Sequence, residues 1–356
     1  NLKIAVLSGD GIGPEVTLQA KKALHAIGVV YNHEFVFEDA YIGAIAIEKT
    51  GKPLPEQTLN LCRNTDSILF GAIGDPKYDN NPEAKVRPEQ GLLKLRKELG
   101  LFANIRPIKA YPKLMNSSPI KKEVLQGTDF VVYRELNGGM YFGEKKTNEA
   151  GTYASDLCEY NEEEIVKISH LAFKAAQTRR KKVTLVDKAN VLETSRLWRK
   201  VVTKIAAAYP DVILEYMYVD NASMQIIVNP RQFDVLLTDN LFGDILSDEA
   251  SVISGSIGLM SSASLGEQHS LFEPIHGCYT EAKGKNIANP IASILSVALL
   301  LEHFGLITES KKVIAAVEKA NIKVGEKLNK ARAIDHLWKS IRKTISGPAF
   351  LTGIPD

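Results

Sequence analysis

The sequence predicts an α/β fold, because short apolar runs typical of buried strands alternate with amphipathic helical segments. Residues 3–8 and 67–73 are two such runs in the first part of the chain, and residues 31–37 are predicted to form a further strand between them. Residues 183–187 and 233–238 are two later ones, and a helical segment over 192–208 follows the first of these. Ligands of open α/β sheets bind beyond the carboxyl ends of the strands, so we look for a site there.

Length and charge limit the function classes. The chain has 356 residues, of which 45% are hydrophobic and 24% charged, as expected of a globular protein of about two domains. Lys and Arg number 44 against 42 Asp and Glu, giving a net charge of +2 and no global attraction for nucleic acid or acidic membranes. The longest apolar stretch, residues 291–301, contains two serines and is too short to span a bilayer.

The cysteines indicate a reducing compartment. Cys62, Cys158 and Cys278 are odd in number, far apart and in no C-x-x-C pair, which argues against a disulfide framework and a thiolate metal site. The first residues enter a strand-like run without the regions of a signal peptide. We therefore expect a cytoplasmic protein, although a processed organellar protein would look the same.

A glycine-rich turn, Gly9-Asp10-Gly11-Ile12-Gly13-Pro14, follows the first strand, and Pro14 suits the first position of a helix. The pattern departs from the G-x-G-x-x-G fingerprint of Rossmann folds, and no acidic residue ends a clean second strand about 20 residues later. On its own, it is best interpreted as a structural turn.

A pair of aspartates predicts a cation site. Asp244 and Asp248 are four residues apart in an expected helix over residues 240–255, so their carboxylates lie on one face. Like charges at this spacing destabilise a helix by a few tenths of a kcal/mol, and a divalent cation with oxygen ligands would relieve the repulsion. The alternative is a solvated acidic face, but Leu246 and Ile253 leave little room for a wholly exposed helix.

Basic residues suggest a carboxylate site. Arg96 and Arg106 flank a turn near Gly100, and Arg134 lies in an apolar strand that would normally exclude a guanidinium. Singly, each is more often a surface or ion-paired arginine; together, they could grip carboxylates through parallel hydrogen bonds. Lys188 follows a strand directly, where a solvated cation is the simplest interpretation.

Five motifs resemble those of the β-decarboxylating dehydrogenases and occur in that family's order. The resemblance covers about residues 1–310, whereas the last 45 or so, ending with the stretch from Ser346 to Asp356, look less like the family's usual tail. The motifs are Ser8-Gly-Asp-Gly-Ile-Gly-Pro-Glu15, Glu89-x-Gly-Leu-Leu-x-Leu-Arg96, Leu185-Val-Asp-Lys-Ala-Asn190, Asn240-x-Phe-Gly-Asp-x-Leu-Ser-Asp248 and Phe272-Glu-Pro-Ile-His-Gly277.

The resemblance implies an isopropylmalate/isocitrate dehydrogenase-like fold, with two α/β domains sharing a central sheet and a non-Rossmann cofactor site. Residues 1–101 and 255–356 are expected to form the large cofactor domain. Residues 102–254 are expected to form a small dimerisation domain with an arm around 137–157. The family also implies a homodimer whose active sites are shared between subunits.

The resemblance assigns roles to the charged residues. Arg96, Arg106 and Arg134 are expected to hold the substrate's two malate carboxylates. Asp244 and Asp248 of one subunit and Asp220 of the other are expected to surround Mg2+ or Mn2+. Lys188, reached from the partner subunit, matches the family's base, and a lysine beside a divalent ion can be neutral near pH 7. Tyr141 matches the residue that protonates the enolate carbon; otherwise it would be a packing tyrosine.

Substrate choice in the family depends on the helix before Arg96. Leu92 and Leu93, with Glu89, make an apolar wall suited to an isopropyl group, which Val191 of the partner subunit is expected to complete. The expected reaction is therefore the oxidative decarboxylation of 3-isopropylmalate to 4-methyl-2-oxopentanoate, a step of leucine biosynthesis. A relative acting on malate, tartrate or homoisocitrate is the alternative enzyme.

The expected cofactor is NAD. Glu281 matches the acidic residue that accepts from the ribose 2'-hydroxyl and repels a 2'-phosphate, although a shifted loop with Tyr279 and Lys283 could admit NADP. The residues expected to bind the cofactor are Ile12, His276, Gly277, Glu281 and Asn289.

A basic run, Arg179-Arg180-Lys181-Lys182, motivates the one rival from another class, a non-catalytic protein that binds nucleic acid. The run ends a helical segment, where cations favour the helix terminus, so a solvated helix end is the simpler interpretation.

Overall fold

The computed structural model describes residues 1–81, 84–112, 115–320, 339 and 341–345. The divergent tail from Ser346 onward lies outside these described residues. Residues 1–99, together with those from 255 on, form one compact unit, and residues 100–254 form a second. We call them the first and the second unit.

Strands and helices alternate along the chain, as predicted. Up to residue 99 the elements are β1 (Leu2–Gly9), α1 (Gly13–Tyr31), β2 (Phe35–Asp39), α2 (Ala44–Thr50), α3 (Glu56–Arg63), β3 (Ser67–Ala72), α4 (Pro76–Asp79) and α5 (Glu89–Glu98). The second unit contains β4 (Ala103–Lys109), α6 (Lys122–Leu125), β5 (Asp129–Glu135), β6 (Lys145–Thr147), β7 (Ala154–Asp156), α7 (Glu162–Thr178), β8 (Lys182–Asp187), α8 (Glu193–Ala206), β9 (Ile213–Tyr218), α9 (Val219–Val228), β10 (Val235–Thr238) and α10 (Asn240–Ser254). The first unit continues with β11 (Ser261–Leu265), β12 (Ser270–Pro274), α11 (Ile291–His303) and α12 (Ile307–Lys319).

The strands of the first unit are ordered β2-β1-β3-β12-β11. They pair in parallel except for β11 and β12, which are antiparallel. Every residue of β3 is buried, as expected of a central parallel strand that is covered on both faces. Because β3 pairs with β12, the two halves of this unit, which are remote in sequence, share one set of hydrogen-bonded strands.

The strands of the second unit are ordered β4-β5-β10-β8-β9. Only β4 runs antiparallel to its neighbour. The core of this unit packs α7 and α8 against the strands through buried aromatic residues such as Phe173 and Trp198. Strands β6 and β7 form a separate antiparallel pair of mostly exposed residues within the region where the arm was predicted.

One predicted strand, over residues 31–37, is wrong at its beginning. Helix α1 runs to Tyr31, and Asn32 ends it in the left-handed conformation at φ 57°, donating its backbone N–H to Gly28. The strand begins only at Phe35. Val29, Val30 and Tyr31 favour a strand locally, but the buried face of the preceding helix extends as far as Gly28, so packing overrides that preference.

The glycine-rich turn after β1 is held by close backbone contacts. Gly9 has φ 67°, and a Cβ there would lie 2.0 Å from the carbonyl oxygen of Ala72. A Cβ on Gly11, at φ 56°, would lie 1.9 Å from the carbonyl oxygen of Cys278. Side chains are excluded at both positions, which agrees with the interpretation of the glycine-rich sequence as a structural turn. No helix in the described part of the chain is long and apolar enough to cross a membrane.

Candidate active site

Two of the three predicted arginines lie side by side in the second unit. Asn104 and Arg106 are two residues apart on β4, so their side chains lie on the same face of the strand. Asn104 is directly opposite Arg134 on β5. Both guanidinium groups are consequently on one face of the strands. They are almost fully buried, with 8% and 3% of the side chains of Arg106 and Arg134 exposed.

Helix α10 brings the predicted aspartates to these arginines. Asp244 accepts from Arg134 and lies 3.5 Å from Nη2 of Arg106. Asp248, one helical turn later, is 3.3 Å from Nη1 of Arg106. Burial raises the pKa of the Asp248 carboxyl, although Arg106 opposes the shift. The two carboxylates therefore share one face of the helix, as their spacing predicted.

Tyr141 joins the same cluster. It ends a short 3-10 turn, Gly139–Tyr141, and its hydroxyl donates to Oδ2 of Asp244 at 2.6 Å. The Arg134 guanidinium lies 5.3 Å from the centre of its ring. Burial and the hydrogen bond to Asp244 raise the pKa of the Tyr141 hydroxyl, so the phenol keeps its proton at neutral pH.

Lys188 and Asp220 form a second group. Strand β8 ends at Asp187, whose buried carboxylate accepts from Arg199 and from the backbone N–H of Ala189, which fixes the turn that carries Lys188. Nζ of Lys188 lies 2.6 Å from Oδ1 of Asp220 at the start of α9. This hydrogen bond lowers the pKa of the Asp220 carboxyl. Among the described residues, no three His, Cys, Asp or Glu side chains are close enough to hold a metal ion.

Arg96 lies in the first unit, near the end of α5. Its Nη2 donates to Oε1 of Glu273 at 2.8 Å, and both side chains are largely buried. Its Nε is buried without a hydrogen-bond partner in the described part of the molecule. Earlier on α5, Leu92 and Leu93 are only half-buried, whereas Leu95 is fully buried in the core. Glu89, which begins the helix, packs against Gly74.

The loop after β12 carries most of the predicted cofactor residues. His276 is half-buried; burial lowers the pKa of its imidazole, and Nε2 has no hydrogen-bond partner among the described residues. A Cβ on Gly277 would meet open space, and Glu281 is exposed. Asn289 accepts from the backbone N–H of Ile291 at the start of α11.

Ile12 contacts the loop after β12. Its backbone N–H donates to the carbonyl oxygen of Cys278 at 2.8 Å. Its side chain is buried with Val16, Ala282 and Ala288. The first turn of α1 thus contacts the loop through both backbone and side chain.

The basic run is occupied by structural ion pairs. Arg179 donates to Asp129 and to Asp234, whose side chain is 1% exposed. Lys181 and Lys182 pair with Asp211 and Glu215, respectively. These carboxylates offset the positive charge that motivated a nucleic-acid site, which favours the interpretation as a helix end.

Sequence reasoning missed several residues that hydrogen-bond to the predicted arginines. Asn104 and Asn240 accept from the arginines, Ser247 contacts Arg106, and Glu273 pairs with Arg96. Asn240 and Glu273 belong to motifs noted above, so motif membership was one available signal. Asn104 could have been found from its position two residues before Arg106 in a strand.

Comparison with known proteins decides the family. The model of the isocitrate/isopropylmalate dehydrogenase family matches residues 3–330. The chain belongs to this family. The expected fold class is thereby confirmed, and so is the expected class of enzyme, an oxidoreductase.

Relatives in the isocitrate/isopropylmalate dehydrogenase family match most of the chain. A 3-isopropylmalate dehydrogenase from Bacteroides fragilis is 51% identical over 329 residues, covering 92% of this chain and 93% of its own. One from Geobacillus kaustophilus is 53% identical, covering 90% and 87%. Among solved structures, isocitrate dehydrogenase from Methylococcus capsulatus matches with a TM-score of 0.84 at 32% identity, covering 97% of this chain and 100% of its own. A beta-decarboxylating dehydrogenase from Thermococcus kodakarensis, in its apo form, matches with a TM-score of 0.80 at 33% identity, covering 97% and 96%.

Proposed function

We propose that the protein catalyses the NAD-dependent and metal-dependent oxidative decarboxylation of 3-isopropylmalate to 4-methyl-2-oxopentanoate, in the cytoplasm, as a step of leucine biosynthesis. The observation that carries this proposal is the cluster of Arg106, Arg134, Tyr141 and the two aspartates of α10 on one face of the second unit. Buried cations, a protonated phenol and adjacent carboxylates are what a dicarboxylate substrate with a metal ion requires. The names of the closely similar relatives support this choice of substrate.

Each residue has a distinct task. Arg106 and Arg134, with Arg96 from the first unit, bind the two carboxylates of the malate group through charge-assisted hydrogen bonds. Lys188 accepts the proton of the C2 hydroxyl as that carbon is oxidised. The bond from C3 to its carboxylate then breaks, CO2 leaves, and the electron pair remains on C3. Tyr141 donates its proton to C3, which the raised pKa of its hydroxyl makes available at neutral pH.

The carboxylates of the site fit a hard divalent cation. Asp244 and Asp248 are 35% and 56% exposed, so their oxygens can reach a ligand, and the phenol of Tyr141 lies beside them. Oxygen donors of this kind suit Mg2+ or Mn2+. When bound, the cation would supply electrophilic stabilisation of the substrate's oxygen, and NAD would supply the hydride acceptor. Asp220 of the partner subunit is the proposed third ligand.

The loop after β12 fits the adenosine part of NAD. The unpartnered Nε2 of His276 can accept a hydrogen bond from a ligand. Exposed Glu281 can accept from a ribose 2'-hydroxyl, and its charge would repel a 2'-phosphate. Gly277 leaves space for close approach, Ile12 supports the loop, and Asn289 lies at its far end.

Exposed apolar side chains in the second unit support a homodimer. Val191, Ile213, Met224, Val228 and Ile245 are each more than half exposed. Met224 and Val228 are four residues apart on α9 and therefore share one face of that helix, and exposed apolar patches commonly mark protein interfaces. Val191 lies in the same turn as Lys188, so a partner that covered Val191 would meet that lysine as well. We propose that each active site combines residues of both subunits.

The deciding experiment measures NADH formation with Mg2+ on 3-isopropylmalate, malate, tartrate and homoisocitrate. The half-buried Leu92 and Leu93 present an apolar surface with no group to pair a third carboxylate, so kcat/KM should be highest for 3-isopropylmalate. Loss of an apolar group is worth about 1–3 kcal/mol, which predicts a preference of about 10- to 200-fold over malate. An equal kcat/KM for malate would contradict the substrate. Repeating the assay with NADP and after EDTA treatment tests the cofactor and the metal.

A further inference from the structure

The two buried guanidinium groups of the second unit contact uncharged oxygens as well as the carboxylates of Asp244 and Asp248. Nε of Arg106 donates to Oδ1 of Asn104 at 2.7 Å, and its Nη1 donates to Oγ of Ser247 at 2.6 Å. Nε and Nη2 of Arg134 both donate to Oδ1 of Asn240, at 3.0 and 2.8 Å. We call Asn104, Asn240 and Ser247 the neutral acceptors. They fix Nε and Nη1 of Arg106 through two oxygens, and Nε and Nη2 of Arg134 through one.

The neutral acceptors are rigidly placed. Asn104 and Ser247 have 0% exposure, and Asn240 has 1%. The Asn240 side chain also donates to the carbonyl oxygen of Gly138 at 3.2 Å, in the segment that leads to Tyr141. Ser247 donates to the carbonyl oxygen of Gly243 within α10. Their oxygens therefore have defined positions and can align the arginines.

Other arginines in the same unit are held differently. Arg199 donates to Asp187, and Arg179 donates to Asp234, and these carboxylates are 2% and 1% exposed. Both pairs place a buried negative charge against the guanidinium, which cancels its field locally. At Arg106 and Arg134 the buried partners include amide and hydroxyl oxygens, and Asp244 and Asp248 are the partly exposed ones.

The difference has a direct electrostatic consequence. A buried guanidinium requires hydrogen-bond partners, and an amide oxygen supplies one without a formal charge. A carboxylate at the same place would compete electrostatically with an incoming dicarboxylate. Uncharged partners fix the orientation of both cations without adding a further negative charge to those of Asp244 and Asp248.

We propose that Asn104, Asn240 and Ser247 are positioning residues that align Arg106 and Arg134 and keep their charge available to the substrate's carboxylates. This inference rests on the proposed function, because it assumes a dicarboxylate substrate. It adds determinants of substrate affinity that do not touch the substrate themselves.

The test is Asn104→Asp, which keeps the side-chain shape and the acceptor oxygen and adds one negative charge. Steady-state kinetics should show KM for 3-isopropylmalate raised at least about tenfold, with kcat changed much less and KM for NAD unchanged. Titration calorimetry with 3-isopropylmalate and Mg2+, without NAD, should show the same loss of affinity. A residue that only supports packing would lower the melting temperature without this separation of KM from kcat.

The matched control is Asn161→Asp. Asn161 is exposed and caps α7, a position where aspartate is an equally good cap, so the variant adds the same charge to the same unit. Its KM should remain that of the wild type. A rise in KM equal to that of Asn104→Asp would overturn the inference, because any added charge would then suffice.

A second variant keeps the test valid if Asn104→Asp does not fold. Ser247→Ala removes only the hydroxyl that accepts from Arg106, and it should raise KM for 3-isopropylmalate severalfold with kcat nearly retained. If this variant has an unchanged KM and the wild-type enzyme turns over 3-isopropylmalate, the inference is overturned but the proposed function is not. Failure of the wild-type protein to bind or oxidise any of the four acids would overturn the proposed function itself.

Discussion

Lys188 and Asp220 are in hydrogen-bond contact across 2.6 Å, so the proposed base and one proposed metal ligand are neighbours within a single chain. A lysine acts as a base only when it is neutral, and a bound cation would favour that form by electrostatic repulsion. The carboxylate of Asp220 could orient the amine in either case. The proposed role of Lys188 therefore depends on the protonation state of its amine rather than on packing of its half-buried side chain.

We expect Lys188→Met to lower kcat by about 10²- to 10⁴-fold, the usual contribution of a general base. Binding of 3-isopropylmalate, measured by calorimetry, should remain detectable. Lys182→Met is the matched control, because Lys182 begins the same strand and also pairs with a carboxylate, Glu215. Turnover of Lys188→Met close to that of this control would remove Lys188 from the role of base.

Glu135 is a buried carboxyl whose protonation is linked to folding. It accepts from the backbone N–H groups of Asn137 and Gly138, yet burial raises its pKa from 4.5 to about 7. A pKa that is higher in the folded state means that folding favours the protonated form. The stabilisation is complete below about pH 4.5 and is lost as the pH rises through about 7.

Glu135→Gln should remove this dependence on pH. Urea unfolding at several pH values between 4.5 and 8 should show the free energy of unfolding of the wild type falling relative to that of the variant as the pH rises. Parallel curves for the two proteins would show that Glu135 has the same pKa in the folded and unfolded states.

At the scale of single elements, α5 carries leucines in two different environments. Leu95 is fully buried, while Leu92 and Leu93 are only half-buried on the same helix. Near the end of the helix, the buried Nε of Arg96 has no hydrogen-bond partner among the described residues. Leu95 thus anchors α5 to the core, and Leu92 and Leu93 are the residues that we propose contact the substrate.

We expect Leu93→Ala to lower kcat/KM for 3-isopropylmalate by about 10- to 100-fold while leaving that for malate nearly unchanged, because the removed group meets only the isopropyl substituent. Leu95→Ala, the control, should lower the free energy of unfolding by about 2–5 kcal/mol and leave the ratio of the two kcat/KM values intact. Equal losses on both substrates for Leu93→Ala would contradict a role in specificity.

The sequence predicted well those elements whose patterns have a single physical explanation. The spacing of Asp244 and Asp248 placed them on one helical face, and Arg134 in an apolar strand indicated an ion-paired arginine or a member of a carboxylate-binding cluster. It did not reveal that Asn104 and Asn240 hold the arginines, because an asparagine in a strand or at a helix start has many possible partners. The end of α1 was misplaced because β-branched residues near Tyr31 locally favour a strand, whereas packing of the whole helix determines its length.

At the scale of the whole molecule, the feature that requires explanation is that Asp220, Asp244 and Asp248 do not form one group of possible metal ligands within the described residues of a single chain. Asp220 and Asp244 each have their own hydrogen-bond partners within the chain, and the proposed reaction needs both. The exposed Met224 on α9 and Ile245 on α10 indicate a surface through which a second chain could supply the missing group. A two-fold dimer would then complete two sites at once.

Mixing two inactive variants tests this arrangement. Asp220→Asn and Asp244→Asn should each lower turnover at least about 100-fold as homodimers, with little change in melting temperature because both side chains are partly exposed. If sites are shared, random mixed dimers hold one intact site, and co-refolding should restore about a quarter of wild-type activity. No recovery, with mixed dimers present by native mass spectrometry, would contradict shared sites.

The pairing of β3 with β12 has a consequence for synthesis on the ribosome. Ser67 and Ser270, at the starts of these strands, are 203 residues apart, and the whole second unit is made between them. At a synthesis rate of about 5–20 residues per second, β12 is made on the order of 10–40 s after β3. An apolar strand with an unpaired edge is prone to join other chains, so the nascent protein should depend on chaperones during this interval.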